Sequence, residues 1–296
     1  KKAAVFNQNQ LAHAIKCWQL AAHTERILLQ KFSYDESKVA MLQSSRMRSE
    51  QAINACYLLY QLTKDNKWVS AAFDFAEKNK AFILLESARR NTAARLLQND
   101  SLFRNIQNLQ LEYATLEKTK ITAALTNDSD LLKQVTVQLS EKEKKVVTEN
   151  DKLRQSNTAY NTWMQQENNI DLNNVTEFAK KTNTGFIEYF TGDSSVFSFS
   201  TSPTGQLYFQ KLVYDISEAT NNFLTYFTDK NAVIKNIPGY IQQAHYLFLN
   251  LQISKAGNAK KLIIIPDGNL NFLPFDALVV SAQNKTSLNN IDYLLK

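Results

Sequence analysis

The sequence predicts an α+α/β protein: a helical array with a long antiparallel helical hairpin, followed by the first part of an α/β sheet. All six glycines and all four prolines lie after residue 184, and tight turns depend on these residues, so the preceding part is expected to be helical. Apolar residues follow a heptad spacing over 101–168 and alternate with a period of two after 184. We therefore predict three domains, at 1–100, 101–170 and 171–296.

Residues 7–98 are expected to form at least three long helices. The first is indicated by Leu11, Ile15, Trp18 and Ala22, whose spacing of three or four places them on one side of a helix. The second begins after "SYDES", and the third begins after the turn "TKDNK" at 63–67. The third helix alternates alanine with phenylalanine, so residues 1–100 resemble degenerate tetratricopeptide (TPR) repeats that lack the usual Trp-Leu-Gly-Tyr order.

Residues 101–168 predict the helical hairpin. One apolar seam consists of Leu102, Ile106, Leu109, Tyr113 and Leu116, and a second seam follows the polar loop "TNDSD" at 126–130. The second seam comprises Leu132, Val135, Leu139, Lys142, Val146, Glu149, Leu153, Ser156, Tyr160 and Trp163. Its polar members are Lys142, Glu149 and Ser156. They favour a hairpin that projects into solvent or lies on another surface, and they disfavour a long, autonomous dimeric coiled coil.

The C-terminal part changes to strand-like alternation. The predicted elements are strands at 184–190, 195–201 and 206–214, helices at 215–230 and 240–254, and a strand at 262–265. The apolar run at 262–265 predicts a strand buried on both faces, followed by a Pro-Asp-Gly turn and an apolar "LPF" expected to start a helix. This order indicates a sheet whose first three strands form a meander and whose next strand is added by a crossover connection.

Two stretches of this part resemble the opening of the CHAT domain, a caspase- and separase-like domain found behind TPR arrays in bacteria. They are "TGFIEYF…VFSFST…LYFQKL" and "HYLFLNLQIS…KKLIIIPDGNLNFLPFDALV". The resemblance covers about residues 170–296, and its most specific motif is "LIIIPDGxLxxLPFxAL". The upstream helices end in "AFDFAEKNKAFILLESARR". Together with the long hairpin, they resemble the regions that usually precede this domain in that family.

The CHAT resemblance implies a cysteine peptidase fold whose His and Cys lie on loops at the carboxyl ends of later strands. We call residues 262–278, which carry the motif "LIIIPDGxLxxLPFxAL", the elbow. In that family the two residues occur in "His-x-x-Thr-His-Gly" and "Ser-Ala-Cys" motifs downstream of the elbow. Neither motif occurs in residues 1–296. We therefore expect this chain to lack the dyad that generates a thiolate, because its sequence stops before the catalytic subdomain.

The charge indicates a protein partner. The net charge of +6 arises within residues 1–170, which contain 24 Lys and Arg against 18 Asp and Glu. Arg89, Arg90 and Arg95 form a compact basic patch that we predict to bind an acidic protein partner. Nucleic acid is not favoured, since "SEKEKKVVTENDK" alternates in sign as solvated helices do. No apolar run approaches the length of a membrane span.

No catalytic, cofactor-binding or metal residue is predicted, and no cofactor. Cys17 and Cys56 lie among apolar helical residues, where cysteine usually packs as a small hydrophobe. His13 and Cys17 have the spacing of half a metal site, but no second pair completes four ligands. His245 is expected in a core or an interface. Two cysteines and no visible signal peptide predict a reducing, cytoplasmic location.

Three hypotheses follow. The first is an interaction and regulatory module, in which a partner docks on the TPR-like helices and the docking is relayed to the caspase-like domain. The second is that the intact protein is a cysteine endopeptidase of the caspase and separase clan, of which this chain is a fragment. The third is a degenerate family member that keeps the half-sheet as a scaffold. The sequence after Lys296 would discriminate among them.

Overall fold

The computed structural model describes residues 7–31, 35–78, 80, 92, 95–97, 99–165, 171–213, 215–229, 231–282, 288 and 291–294. The chain forms two compact units. The first comprises Lys1–Trp18, Arg46–Glu77 and Ile170–Lys296, and the second comprises Gln19–Ser45 and Lys78–Asn169.

Helices make up most of the described residues. They are α1 (Gln8–Lys31), α2 (Asp35–Thr63), α3 (Lys67–Lys78), α4 (Ser101–Leu125), α5 (Ser129–Ser156), α6 (Thr158–Gln165), α7 (Leu172–Thr182), α8 (Ile216–Leu224), α9 (Ala232–Lys235) and α10 (Ile237–Asn250). No helix within the described ranges is long and apolar enough to cross a membrane.

A small mixed sheet follows the long helices, which makes the protein broadly α+β. The strands are β1 (Thr184–Thr191), β2 (Val196–Thr201), β3 (Leu207–Lys211) and β4 (Lys261–Ile265), in the order β3-β2-β1-β4. β1, β2 and β3 form the predicted antiparallel meander, and β4 pairs parallel to β1 after the crossover. A further two-stranded sheet joins β5 (Val279–Ser281) and β6 (Asp292–Tyr293).

Helices α2 and α3 cover one face of the four-stranded sheet. The Tyr57 ring meets the Phe209 ring edge-on at 5.3 Å between centroids, and Phe73 meets Phe199 in the same way at 5.6 Å. Phe199 and Phe209 stack at 4.8 Å across β2 and β3. These aromatic contacts explain why the residues 46–77, which the sequence grouped with the helical array, share a compact unit with the sheet.

The opposite face of the sheet packs on α8 and α10. Ile187 and Tyr189 point to this side and share a buried cluster with Phe223 and Leu247. The Tyr189 hydroxyl donates a hydrogen bond to the Leu251 carbonyl oxygen at 2.9 Å. Burial raises the Tyr189 pKa well above its usual value, because an ionised phenol would be desolvated there.

Two expectations about the C-terminal elbow are wrong. No residue of β4 is buried, and Ile263 is exposed, because β4 forms an edge of the sheet and β1 is its one neighbour among the described strands. The segment after the Pro-Asp-Gly turn does not start an α-helix; it forms two short 3₁₀ turns, Gly268–Phe272 and Phe275–Ala277. Pro274 lies between them, where its missing N–H prevents continuous helical hydrogen bonding.

The second unit contains the predicted antiparallel hairpin. Asp100 caps α4 by accepting hydrogen bonds from the backbone N–H groups of Leu102 and Phe103, and Asp128 caps α5. Phe103 and Ile106, near the start of α4, pack with Leu153 near the end of α5. The buried members of the two seams are Ile106, Leu109, Val135, Leu139, Val146 and Leu153. The heptad spacing therefore identified the correct faces of both helices.

Candidate functional site

A cluster of polar side chains lies where β1 and β4 end. Its members are Arg46 and Glu50 of α2, Thr191 at the end of β1, Ser194 of the β1–β2 connection, and Asp267 after β4. The two strands are parallel, so their carboxyl ends meet at one edge of the sheet. In parallel α/β sheets this edge is where ligand and catalytic groups are usually found.

Arg46 connects both strand ends to α2. Its Nε donates to the Thr191 carbonyl oxygen at 2.8 Å, and one of its terminal nitrogens forms an ion pair with Asp267. The guanidinium also lies over the Phe190 ring, 5.1 Å from its centroid. Phe190 is fully buried. The aliphatic and planar parts of Arg46 therefore help to shield its ring from solvent.

Asp267 joins the two strand ends directly. Its carboxylate accepts a hydrogen bond from the Thr191 backbone N–H at 2.7 Å. In return, the Thr191 hydroxyl donates to the Asp267 carbonyl oxygen at 3.0 Å. Gly268 comes next with a positive φ of 58°, and a Cβ there would contact Thr191 at 3.0 Å. The Pro-Asp-Gly turn is therefore held against β1 by its aspartate.

Glu50 lies one turn after Arg46 on α2 and holds the β1–β2 connection. Its carboxylate accepts from the backbone N–H groups of Asp193 at 2.8 Å and Ser194 at 3.0 Å, and from the Ser194 hydroxyl at 2.7 Å. The glutamate is buried at 5% exposure. A Cβ on Gly192 would overlap this carboxylate, so a larger residue there would displace the Glu50 side chain.

The chemistry of this cluster is structural. Both carboxylates and the guanidinium are engaged by protein donors and acceptors, and Glu50 is enclosed by the connection it binds. Ser194 itself is exposed, and its hydroxyl donates to Glu50. We name the five residues Arg46, Glu50, Thr191, Ser194 and Asp267 the α2 clamp, since together they fix two loop segments to one helix.

A second candidate is a groove on the hairpin of about 490 Å³. Glu112, Thr115 and Leu116 of α4 line one side, and Gln138, Glu141, Lys142 and Lys145 of α5 line the other. It lies where Lys142 interrupts the apolar seam and pairs with Glu112. Two carboxylates balance two ammonium groups, so the groove offers no charge preference.

The predicted basic patch is described in part. Arg89 and Arg90 lie outside the described residues, and Arg95 is exposed. His245 has its Nδ1 3.0 Å from the Val279 carbonyl oxygen, and its ring stacks on Phe248. These contacts tie α10 to β5, which is the packing role expected of this histidine.

The two cysteines are both free and differ in access to solvent. Cys17 is exposed and Cys56 is buried. Burial raises the pKa of the Cys56 thiol from 9.0 to about 12, because the thiolate would lose its hydration. Cys56 is therefore protonated near neutral pH and does not act as a nucleophile. Within the described part of the chain, no three His, Cys, Asp or Glu side chains converge as a metal site would require.

The sequence did not single out the residues of the α2 clamp. Arg46 and Glu50 are four positions apart on one helix face, which is also the spacing of ordinary surface pairs. The sequence predicts a β-turn at Asp267, and its position two residues after a strand of a parallel sheet is a signal that could indicate a functional or clamping role. Neither the protein-family models, nor the curated proteins, nor the solved structures compared with this chain gave a match.

Proposed function

We propose that the chain is a protein-interaction and regulatory module of a TPR–CHAT type protein. A partner docks on the helical part, and docking is relayed to a caspase-like domain of which residues 171–296 are the first part. The caspase-like assignment rests on the sequence resemblance of the elbow "LIIIPDGNLNFLPFDAL". The relay rests on one structural observation, the α2 clamp.

Helix α2 supplies the route for the relay. Its residues 35–45 belong to the second unit, and Arg46 and the residues after it belong to the first. Arg46 is thus the first α2 residue of the sheet-containing unit, and it binds both strand ends. Because a helix moves as a stiff element, a shift of about 1–2 Å along α2 is enough to break hydrogen bonds of this kind.

The segments held by the clamp are suited to receive such a signal. They are the β1–β2 connection at 192–195 and the turn at 266–268, both at the carboxyl edge of the parallel strand pair. Functional groups of parallel α/β sheets collect at this edge. If these segments became more or less ordered, the change would therefore be felt at the carboxyl edge of the sheet, where a caspase-like domain has its catalytic loops.

The docking half of the proposal is supported by the architecture of the second unit. It is built largely from long helices, including the hairpin of α4 and α5. Long helices present extended side-chain surfaces, which suit recognition of helical or extended segments.

Hydrogen exchange of the full chain tests the relay. Arg46→Met removes the guanidinium and keeps an aliphatic side chain of similar length over Phe190. We expect amide exchange at 191–195 and 267–272 to accelerate by about tenfold or more, which corresponds to about 1.4 kcal/mol of lost protection. The other strands should keep their protection, because their covering aromatic contacts are unchanged.

The matched control is Gln51→Met, an exposed position on the same helix. This variant should leave exchange at both segments unchanged. If Arg46→Met also leaves both segments unchanged, α2 does not hold them and the relay is refuted. Acceleration spread evenly over the whole chain would equally count against it, since that pattern indicates global destabilisation.

A further inference from the structure

Helix α4 has an exposed apolar stripe on the side opposite its seam with α5. We call Arg104, Leu111, Ala114, Lys118, Ile121 and Leu125 the outer stripe of α4. Leu111 is 68% exposed, Ile121 61% and Leu125 79%. Leu111 follows the buried seam residue Leu109 by two positions, which is about 200° around the helix. The stripe is therefore directed away from the hairpin core.

A threonine extends the apolar character of the outer stripe. The Thr122 hydroxyl donates to the Lys118 carbonyl oxygen at 3.0 Å. This hydroxyl group is thus satisfied within the helix. What the exposed Thr122 side chain offers to a partner is mainly its methyl group.

The charges on the outer stripe have one sign. Arg104, Leu111, Lys118 and Leu125 follow one another at intervals of seven, so cations and leucines alternate along one line of the helix. The neighbouring exposed positions on this side are Gln107, Asn108 and Thr122, none of which is acidic. Cations and aliphatic groups alternate about every 10 Å.

The outer side of α5 provides a comparison within the same hairpin. Its corresponding positions carry both signs: Lys133 and Lys144 against Asp130 and Asp151. Its one highly exposed aliphatic residue is Val137, at 59%. A mixed polar surface of this kind is what a solvated helix face shows. The outer stripe of α4 departs from it in both charge and apolar content.

We propose that the outer stripe of α4 docks an acidic amphipathic helix of a protein partner. A docking helix about three heptads long matches the distance from Arg104 to Leu125. Its apolar side chains pack between Leu111, Ile121 and Leu125, and its carboxylates pair with Arg104 and Lys118. The single charge sign of the stripe is what selects an acidic helix over a basic one.

Two other occupants fit the stripe less well. A membrane surface is attracted by clusters of about four to eight cations, and the stripe has two. A second copy of the same stripe would bring Arg104 and Lys118 of one chain near those of the other, because both copies carry only positive charge there. Like charges brought together at an interface oppose that pairing.

This inference rests on the proposed function, for it names the docking surface that the function requires. Its test is separate from the exchange experiment on Arg46, since no residue of the outer stripe belongs to the α2 clamp. A failed docking test together with accelerated exchange in Arg46→Met would refute the outer stripe as the docking surface and would still support the relay. The reverse result would refute the relay and leave the docking surface.

The experiment selects helices from a displayed peptide library on the purified full chain. Each library member is three heptads long, with leucine fixed once per heptad and Glu, Gln or Lys chosen at random at flanking positions. We expect the selected peptides to contain Glu about tenfold more often than Lys beside the leucines. Their affinity for Leu111→Gln/Leu125→Gln should be at least about tenfold lower, measured by fluorescence anisotropy.

Two further variants sharpen the result. Val137→Gln on α5 is the matched control and should bind the selected peptides as the parent chain does. Arg104→Glu/Lys118→Glu should reverse the selection in favour of Lys. Since all these positions are exposed, circular dichroism should show unchanged helicity in every variant.

Three results would overturn the proposal. The first is a selection that yields no helix, or helices whose binding ignores Leu111 and Leu125. The second is binding to vesicles of equal parts phosphatidylglycerol and phosphatidylcholine that the leucine substitutions abolish. The third is a concentration-dependent dimer, seen by sedimentation, that the same substitutions dissociate.

Discussion

The guanidinium of Arg46 and the carboxylate of Asp267 form an ion pair across 221 positions of the sequence. The Asp267 side chain is 12% exposed and that of Arg46 is 30% exposed. Both also bind the backbone of Thr191, so the pair belongs to a small network and is unlike an isolated surface contact.

A double-mutant cycle on this pair should show strong coupling. We expect Arg46→Met and Asp267→Asn each to lower the free energy of unfolding by about 2 kcal/mol, because each leaves a partly buried charged partner. The double variant should lose less than the sum of the two, by about 1–2 kcal/mol. Urea unfolding of all four proteins measures this, and strictly additive losses would contradict it.

Gly192→Ala should destabilise the β1–β2 connection through Glu50. The new methyl group overlaps the Glu50 carboxylate, so the glutamate has to leave the two backbone N–H groups that it accepts from. We expect a loss of about 2–3 kcal/mol in the free energy of unfolding. In a Glu50→Ala background the same substitution should cost clearly less, and an equal cost in both backgrounds would argue against this explanation.

Thiol labelling should separate the two cysteines. Near neutral pH, iodoacetamide should modify Cys17, which is exposed, and leave Cys56 unmodified until the protein unfolds. Intact-mass spectrometry should therefore show one adduct on the native chain and two in urea. A Cys17→Ser variant should show none in the native state, and rapid native labelling of that variant would contradict the burial of Cys56.

Alkaline pH should weaken the protein through Cys56. Its folded-state pKa of about 12 lies above the value of 9.0 for a free thiol, so between these values the folded state binds the proton more tightly. The stabilisation is fully present below about pH 9 and is lost as the pH rises towards 12. Cys56→Ala should flatten the fall in unfolding free energy above pH 9, as measured by urea unfolding across this range.

Lys142→Leu should stabilise the hairpin. Lys142 occupies a seam position between the buried residues Leu139 and Val146 and pairs with the half-exposed Glu112. A leucine would add apolar burial worth about 1 kcal/mol, and a partly exposed ion pair contributes less. Calorimetry of the full chain should show a raised unfolding temperature. Lys144→Leu, on the exposed side of α5, should show no rise.

The hairpin and the meander were predictable because their signals are local. The heptad positions of Ile106 and Leu139 lie on the surfaces that the helices bury, and Pro203 and Gly205 mark the turn between β2 and β3. Patterns of this kind depend on residues a few positions apart. They state which side of an element is apolar and say nothing of what covers it.

The cover of the sheet was not predictable for that reason. Phe73 on α3 fits a helix–helix interface and a helix–sheet interface equally well, yet it meets Phe199 of β2. The run Leu262–Ile265 indicated a central strand, and its place at an edge depends on which strands pair with it. The α2 clamp joins residues from three distant segments, and no spacing within one segment encodes it.

The packing of α2 and α3 on the sheet has a consequence for biosynthesis. Residues up to Lys78 leave the ribosome about a hundred residues before β1 begins at Thr184, an interval of about 5–20 s at ordinary rates of synthesis. During this interval Tyr57 and Phe73 cannot pack on the sheet, because its strands have not yet been translated. The nascent chain, unlike the finished protein, therefore exposes aromatic side chains that are open to non-native contacts.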